Sequence, residues 1–225
     1  MELKVIARYH CDFPTKFGLP RQSGLNGALA GEIVFERAYQ NPDALRGLEA
    51  FSHLWLLWGF QIPDRENWSA TVRPPRLGGN ERVGVFATRS PFRPNPIGLT
   101  VVKLEELVRR PGSGVVIRVT GGDMADGTPV YDIKPYIPYA DSHPDAVGSF
   151  AERLKDYALN VTFPPELLSR IPEEKRAALM RALEGDPRPA YQNDPNRVYG
   201  FLYAGFDVKF TVCEDRLLVV GLVSV

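Results

Sequence analysis

The sequence predicts a mainly β protein, in which a small antiparallel β-barrel carries a small α+β domain at its C-terminal side. Short apolar or alternating runs recur through the first two-thirds of the chain at spacings of roughly 10–15 residues, with few helical patterns between them. The βαβ alternation and the G-x-G-x-x-G motif of a Rossmann fold are both missing. These observations favour a closed or nearly closed barrel over a doubly wound sheet.

The barrel is predicted to occupy residues 1–143. Loose alternation predicts a first strand over residues 3–9 and a second over residues 32–36. The sequence Asn-Pro-Asp at 41–43 then predicts a short helix that ends near Leu48, because Asn is a good cap and Pro suits the first helical position. Further strands are predicted at residues 54–58, 83–88, 99–108, 115–119 and 129–133.

From Pro144 onward the run of short strands gives way to a mixture of helical and strand patterns, which predicts a second domain over residues 144–225. Pro172 to Glu184 is expected to form a helix, with Pro at its start, two glutamates in its first turn and Gly185 at its end. A shorter helical stretch begins at Pro164. Strands are predicted at residues 161–163, 199–204, 207–212 and 217–223. A unit this small is marginal on its own, so we expect it to pack on the barrel.

Composition and charge narrow the function classes. Hydrophobic residues make up 44% and charged residues 24% of the chain, so neither disorder nor a membrane class is favoured. No apolar run approaches the roughly 18–20 residues that span a bilayer, and the start of the chain lacks a signal-peptide pattern. We therefore expect a cytoplasmic protein without a membrane partner. A formal net charge of zero argues against a strong non-specific nucleic-acid binder, but not against a local basic face.

Neither a disulfide framework nor a metal site is indicated. Cys11 and Cys213 lie far apart in a chain without a secretory signal, which is typical of free thiols. His10, His53 and His143 lack the close spacing of zinc ligands. No metal cofactor is expected.

Four polar segments rich in Gly and Pro hold the candidate site residues. The first, residues 13–25, contains more large aromatic, cationic and amide side chains than a plain loop needs. The second, residues 71–79, carries Arg73 and Arg76 beside a proline pair, and guanidinium groups suit phosphate contact. A rigid surface turn is the alternative interpretation.

The third segment, residues 88–98, is stiffened by three prolines within six residues, since each proline fixes its own φ angle. Stiffness lowers the entropic cost of presenting polar side chains in fixed positions. The side chains that it presents include Arg89, Ser90, Arg93 and Asn95. The segment lies between two apolar strands, where functional residues are common, although a purely structural proline loop would have the same composition.

The fourth segment, residues 123–136, contains the tight-turn pair Asp126-Gly127. Asp132 and Lys134 are two residues apart in an extended stretch, so their side chains are expected on the same side. They form either a fixed pair at a pocket rim or an ordinary surface ion pair.

Several long strings in these segments resemble the TsaA-like/TrmO family, and the resemblance covers nearly the whole chain. The strings are PRQSGL (20–25), GLEAFSHLWLLW (47–58), RPPRLGGN (73–80), GVFATRSPFRPNPIGLT (84–100), DGTPVYDIKPY (126–136) and DPRPAYQ (186–192). One departure lies before Phe13, where family members often carry Arg-Ser-Pro and this chain has His10-Cys11-Asp12.

The resemblance implies a small antiparallel barrel that binds S-adenosylmethionine and forms a homodimer with its site near the subunit interface. It also implies methylation of the exocyclic nitrogen of N6-threonylcarbamoyladenosine next to a tRNA anticodon. The residues expected at the cofactor are Gln22, Arg89, Ser90, Pro91, Phe92, Asn95, Asp126, Thr128 and Tyr136. Those expected at the RNA are Lys16, Arg21, Arg73, Arg76, Arg93 and Lys134. Asp132 or Asp126 is expected to accept the proton that the nitrogen loses.

Two other function classes stay open at this point. A non-catalytic S-adenosylmethionine- or RNA-binding barrel would bind the cofactor without methylating tRNA. A hydrolase or nucleotidyl transferase would direct the arginines at phosphates, but it needs a metal or an activated nucleophile. Ser90 has no histidine close to it in sequence that could act as its base.

Overall fold

The computed structural model describes residues 2–60, 68–74, 81–154, 157–189, 192 and 194–225. Within these residues the chain builds a closed antiparallel barrel and a separate four-stranded sheet with a helix. The predicted mainly β class, with a barrel and an appended α+β part, is confirmed. No helix in the described ranges is long and apolar enough to cross a membrane.

The first eight strands lie in the N-terminal part of the chain. In chain order they are β1 (Ala7–Cys11), β2 (Ala30–Phe35), β3 (His53–Gly59), β4 (Thr71–Val72), β5 (Val83–Gly84), β6 (Ile97–Arg110), β7 (Gly114–Thr120) and β8 (Thr128–Pro135). Among the described strands, β4 and β5 pair only with each other. The other six close in the spatial order β1-β2-β7-β6-β3-β8, and β8 pairs back with β1.

Two predicted elements are shorter than the sequence indicated. The predicted helix after Asn41 is a single 3₁₀ turn, Pro42–Leu45, although the Asn41 side chain does cap it by accepting from the Asp43 N–H at 3.0 Å. The predicted strand over residues 83–88 stops at Gly84, because Val85–Ala87 turns into a 3₁₀ helix. The Thr88 hydroxyl donates to the Val85 carbonyl at 2.8 Å and holds that turn.

Alternation of side chains fills the barrel with an apolar core. Its fully buried members include Tyr9, Ile33, Leu54, Leu56, Val102, Ile117, Val119 and Val130. Trp58 packs against Gly98 of the neighbouring strand so closely that a β-carbon there would overlap the indole ring. The small residue therefore makes room for the largest side chain of the core.

The C-terminal part of the chain forms the second sheet. Its strands are β9 (Asn160–Thr162), β10 (Tyr199–Tyr203), β11 (Phe206–Cys213) and β12 (Arg216–Ser224), in the spatial order β10-β11-β12-β9. Two four-residue helices, α1 (Pro138–Asp141) and α2 (Pro165–Leu168), precede α3 (Glu173–Glu184), which matches the predicted helix. One face of α3 is buried in the apolar core of this part of the chain.

The second sheet packs against the barrel through the segment that joins β1 to β2. Phe13 of this segment is fully buried and its ring centroid lies 4.8 Å from that of Tyr203. The Asn26 amide donates to the Ala178 carbonyl of α3 at 2.8 Å, and Lys175 pairs with Asp12 at 2.6 Å. The C-terminal part therefore packs against a connection of the barrel, as we expected for a unit of its small size.

Three connections leave the barrel from one end, here called the loop end. Because neighbouring strands are antiparallel, β1, β3 and β7 finish where β2, β6 and β8 begin. The first connection is residues 12–29, the second is residues 60–96 and the third is residues 121–127. Segments that are distant in sequence thus meet at the loop end.

Candidate functional site

Most of the residues expected in the site lie at the loop end. The first connection carries Lys16, Arg21 and Gln22; the second carries Arg73, Arg89, Ser90, Pro91, Phe92, Arg93 and Asn95; the third carries Asp126, and Thr128 follows at the start of β8. Arg76 falls outside the described residues. In the described part of the chain, no cluster of three or more His, Cys, Asp or Glu side chains is arranged to hold a metal ion.

Hydrogen bonds within the segment 88–98, here called the proline loop, hold its shape. The Ser90 N–H donates to the Thr88 hydroxyl at 3.1 Å, and the Phe92 N–H donates to the Ser90 hydroxyl at 3.3 Å. The Arg93 guanidinium turns back onto the loop and donates to the Thr88 carbonyl at 3.1 Å. With its three prolines, the loop is therefore preorganised without any ligand.

Contacts between the first and second connections involve two of the expected residues. Arg89 donates to the Gln22 side-chain oxygen at 2.6 Å. Arg21 instead reaches the C-terminal part of the chain and donates to the Asp186 carbonyl at 2.9 Å. The Lys16 ammonium lies 5.8 Å from the centroid of the Phe17 ring on the exposed side of the same connection. Gln22 and Arg89 therefore line the seam between the connections, whereas Arg21 also fixes the C-terminal part.

A buried polar chain links the barrel core to all three connections. The Trp58 indole N–H donates to the Thr100 hydroxyl at 2.8 Å, and that hydroxyl donates to the Asp123 carboxyl at 2.6 Å. Burial raises the pKa of Asp123 above its usual range, opposed by the hydrogen bonds from Thr100 and from the Ser23 backbone and by the positive charge of Arg89. Asp123 lies in the third connection, accepts from Ser23 of the first connection and attracts Arg89 of the second.

Sequence reasoning missed both Asp123 and Thr100 as site residues. A usable signal was present, because Asp123 directly follows the glycine pair that comes after the apolar run of β7. A carboxyl beside buried strands is costly unless it has partners, so it marks a polar centre.

Asp126 ties the third connection to β1. Its carboxylate accepts from the Cys11 N–H at 3.2 Å and lies 3.0 Å from the His10 Nδ1 atom. The Cys11 thiol donates to the Met124 carbonyl at 3.3 Å, and burial raises its pKa to about 12. His10 and Cys11, which belong to the departure from the usual family residues, are therefore built into the contact between β1 and the third connection.

Thr128 has a structural contact of its own. It is buried, and its hydroxyl donates to the Ala125 carbonyl at 2.7 Å, closing the turn that leads into β8.

The rest of the fourth segment lies away from the loop end. Asp132 and Lys134 form an ion pair at 2.8 Å on the outer face of β8, on the same side as expected. Tyr136 lies beyond the far end of β8, where its N–H donates to the His53 carbonyl at 2.9 Å. A strand of eight residues spans about 25 Å. Within one subunit, Tyr136 and the proline loop are therefore not brought together.

Comparisons with known proteins match both parts of the chain to one family. Residues 8–142 match the family described as tRNA-methyltransferase O N-terminal domain, and residues 156–225 match the TrmO C-terminal domain. The chain is 44% identical over 218 residues to a protein of Escherichia coli (strain K12) named tRNA (adenine(37)-N6)-methyltransferase, an alignment that covers 93% of this chain and 92% of that protein.

Two further likenesses come from Pseudomonas aeruginosa. A protein of strain PAO1 named putative S-adenosylmethionine-dependent methyltransferase RcsF is 38% identical over 214 residues, covering 88% of this chain and 87% of that protein. The crystal structure of TrmO from the same species superposes with a TM-score of 0.77 at 31% identity, covering 100% of this chain and 99% of that one. Two domain matches in the same order and one shared fold lead to one conclusion: the chain belongs to the TrmO family of tRNA methyltransferases.

Proposed function

We propose that this protein is an S-adenosylmethionine-dependent tRNA methyltransferase that acts on the exocyclic nitrogen of adenosine 37, in its N6-threonylcarbamoyl form, beside the anticodon. The observation that carries the proposal is the 44% identity along almost the whole chain to a relative named for methylation of adenine 37. The preorganised, arginine-bearing proline loop at the loop end is the surface on which that chemistry fits.

The loop end has groups that fit the parts of the cofactor. Arg89 suits its carboxylate, Asp123 suits its ammonium or ribose hydroxyls, and the half-buried Phe92 suits its adenine. The Tyr9 hydroxyl, buried beside Gly122 of the third connection, makes no hydrogen bond to any described residue. An orphaned group of this kind is satisfied when a ligand or a water supplies a partner.

The cofactor supplies a methyl group that is bonded to a sulfonium sulfur. That sulfur is the leaving group and needs no metal to leave. The protein's part is to hold the acceptor nitrogen in line at about 3–3.5 Å from that methyl and to keep water away. A stiff proline loop performs this positioning at low entropic cost. Of the two carboxylates expected to take the proton, Asp126 lies at the loop end, whereas Asp132 faces outward on β8. Asp126 is therefore our candidate acceptor within one subunit.

The same proposal includes a cytoplasmic homodimer. An apolar stripe on the outside of the barrel, here called the outer wall, runs where β3 pairs with β6. Leu57 lies opposite Leu99, and Trp55 lies opposite Val101, all with side chains directed away from the core. Leu99 is 52% exposed. Such a contiguous apolar surface fits a second copy of the chain, which would also bring the outward Asp132, Lys134 and Tyr136 to an interface.

The experiment is incubation of the protein with methyl-labelled S-adenosylmethionine and tRNA that either carries or lacks the threonylcarbamoyl group, followed by nucleoside analysis. We expect label on the modified adenosine only when the group is present. Label on tRNA regardless of the group would reject the substrate. Cofactor binding without any label would instead support the non-catalytic binding module.

A further inference from the structure

Two large aromatic side chains are exposed side by side at the loop end. Trp68 and Phe86, here called the aromatic pair, have ring centroids 6.2 Å apart and planes inclined by only 25°. Trp68 is 51% exposed and Phe86 is 72% exposed. Two neighbouring exposed rings form an apolar patch that a protein surface usually avoids unless it binds something.

The scaffold fixes the aromatic pair in place. The two residues flank the β4–β5 hairpin, in which Thr71 pairs with Gly84. The Val85 N–H donates to the Ala70 carbonyl at 3.0 Å, which ties the chain next to Phe86 to the chain next to Trp68. The Ser69 N–H donates to the Phe92 carbonyl at 3.1 Å, which ties the hairpin to the proline loop. The rings are thus presented at low conformational cost beside the proposed site.

The surroundings of the aromatic pair are positively charged. The Arg93 guanidinium carbon lies 6.0 Å from the centroid of the Phe86 ring. Over the described residues 68–74 and 81–93 the charged side chains are those of Arg73, Arg82, Arg89 and Arg93, against Glu81 alone. Aromatic rings among cations match a ligand that has both flat apolar faces and negative charge.

We propose that the aromatic pair is a stacking surface for an unpaired base of the RNA substrate, with the neighbouring arginines on its phosphates. Single-stranded RNA is recognised in this way, because unstacked bases lie on aromatic or guanidinium planes while cations contact the backbone. The inference rests on the proposed function, because it concerns the RNA of the same reaction. It adds a contact to a base in the loop other than the methylated one.

The charge of the patch argues against a second copy of the chain as the occupant. A two-fold interface sets the same patch against itself, so the arginines of one copy would face those of the other. Arginines that face each other repel, whereas phosphate groups are complementary to arginines. The outer wall of the barrel, which is apolar without this excess of cations, is the better surface for self-association.

The test compares four variants: Trp68→Ala, Phe86→Ala, the double variant and Trp68→Phe. Tyr139→Ala is the matched control, because Tyr139 is an aromatic residue that is 92% exposed in α1, beyond the far end of β8. Binding of an anticodon stem-loop RNA is measured by fluorescence anisotropy, and methylation is measured as separate kcat and KM values. Thermal unfolding confirms that the exposed substitutions leave the fold intact.

We expect each alanine variant to weaken RNA binding roughly five-fold or more, since stacking is worth about 1–3 kcal/mol per base. The loss should appear in Kd and KM, with little change for Trp68→Phe or Tyr139→Ala. Cofactor affinity should be unchanged. A fully base-paired duplex of the same length should bind wild type and variants equally, because it offers no free base.

An unchanged Kd and KM in the double variant would overturn the inference while leaving the proposed function standing. Conversion of a wild-type dimer to monomer by the same variant would also overturn it and assign the patch to self-association. Wild-type protein that binds the stem-loop but never methylates it would reject the proposed function, and the anisotropy series would still decide whether the rings stack on RNA. Wild-type protein that does not bind the RNA would reject both.

Discussion

At the scale of single residues, the Asp123 carboxyl is the centre on which the loop end depends. It accepts from Thr100 and from the Ser23 backbone, and it lies within the electrostatic reach of Arg89. Burial makes its ionisation unfavourable, so its pKa is raised. A buried carboxyl in this position organises its neighbours through hydrogen bonds. It destabilises the folded state whenever it is ionised.

The substitution Asp123→Asn tests this balance through pH. The unfolded chain ionises at the ordinary value for aspartate and the folded chain only at a higher pH, so wild-type stability falls across that interval and then levels off. Asparagine does not ionise yet still accepts from Thr100. We therefore expect the free energy of unfolding of the variant, relative to wild type, to rise through this interval in urea titrations. Parallel pH profiles would contradict the assignment.

As a comparison, Asp123→Ala removes the acceptor altogether. The Thr100 hydroxyl would lose its partner, which costs about 1–3 kcal/mol for a buried group.

The sequence identified most loop-end residues at this scale, but it missed Asp123. Arginines, prolines and glycines in a turn-rich string are visible locally. Asp123 accepts from Thr100 in β6, which in turn accepts from Trp58 in β3, and only the closure of the barrel brings these residues together. The same holds for the contact between Asp126 and His10, which are separated by most of the barrel sequence.

At the scale of elements, β3 and β6 make a close contact in the barrel wall. Trp58 lies opposite Gly98 in the register, and the indole ring covers the position that a β-carbon of residue 98 would take. The indole N–H also donates to Thr100, two residues further along β6. The ring therefore has little freedom to move aside.

The substitution Gly98→Ala is expected to destabilise the barrel by roughly 1–3 kcal/mol or more, because the methyl group overpacks the core against Trp58. In a chain of this size, each 1 kcal/mol lowers Tm by about 2–4 °C, which differential scanning calorimetry resolves. Gly84→Ala is the matched control, since a β-carbon at Gly84 meets no atom of the described residues within 4 Å. Equal Tm values for the two variants would rule out the overpacking.

Element types were predictable where a periodic pattern was long, as in α3 and β6. Short elements were not, because their ends depend on single contacts. Asn41 and Pro42 correctly marked a helical start, but the turn stops after four residues. The apolar run from Val83 predicted a strand, whereas β5 ends at Gly84. Among the described strands its partner is β4 alone, which is two residues long.

At the scale of the whole molecule, the first connection joins two barrel strands but packs in the core of the C-terminal part. It leaves and re-enters the barrel, yet Phe13 and Leu29 are buried among the apolar side chains of the C-terminal part. Gly18 approaches the Phe201 ring closely, with a left-handed φ of 83°. The C-terminal part therefore sets the shape of one third of the proposed site.

The substitution Phe13→Ala is expected to lower the free energy of unfolding by about 3–5 kcal/mol, since it leaves a cavity between fully buried rings. It should also reduce tRNA methylation, because the first connection loses its anchor. Phe17→Ala is the matched control in the same connection, where the side chain is 50% exposed. Urea unfolding measures the stability of both variants, and a Phe13 variant as stable as the Phe17 variant would contradict this packing.

The pattern of short strands favoured a closed or nearly closed barrel in advance, and the resemblance to a family implied a barrel as well. Strand runs alone do not specify which edges meet, and the division at residue 143 remains a prediction. The sequence also grouped Asp126 with Tyr136 because they are near in sequence. In the structure β8 carries the chain along the barrel wall between them, so this short string supplies residues to both ends.

Closure of the barrel also bears on aggregation. All six of its strands have two hydrogen-bonded neighbours, so none offers a free edge on which a strand from another molecule can add. In the described sheets outside the barrel, the outer strands are β10 with five residues, β9 with three, and the two-residue pair β4 and β5. The part of β12 beyond Leu218 has no partner on its β9 side among the described strands. Edge-to-edge growth from the folded state would therefore begin at β10 or at this part of β12.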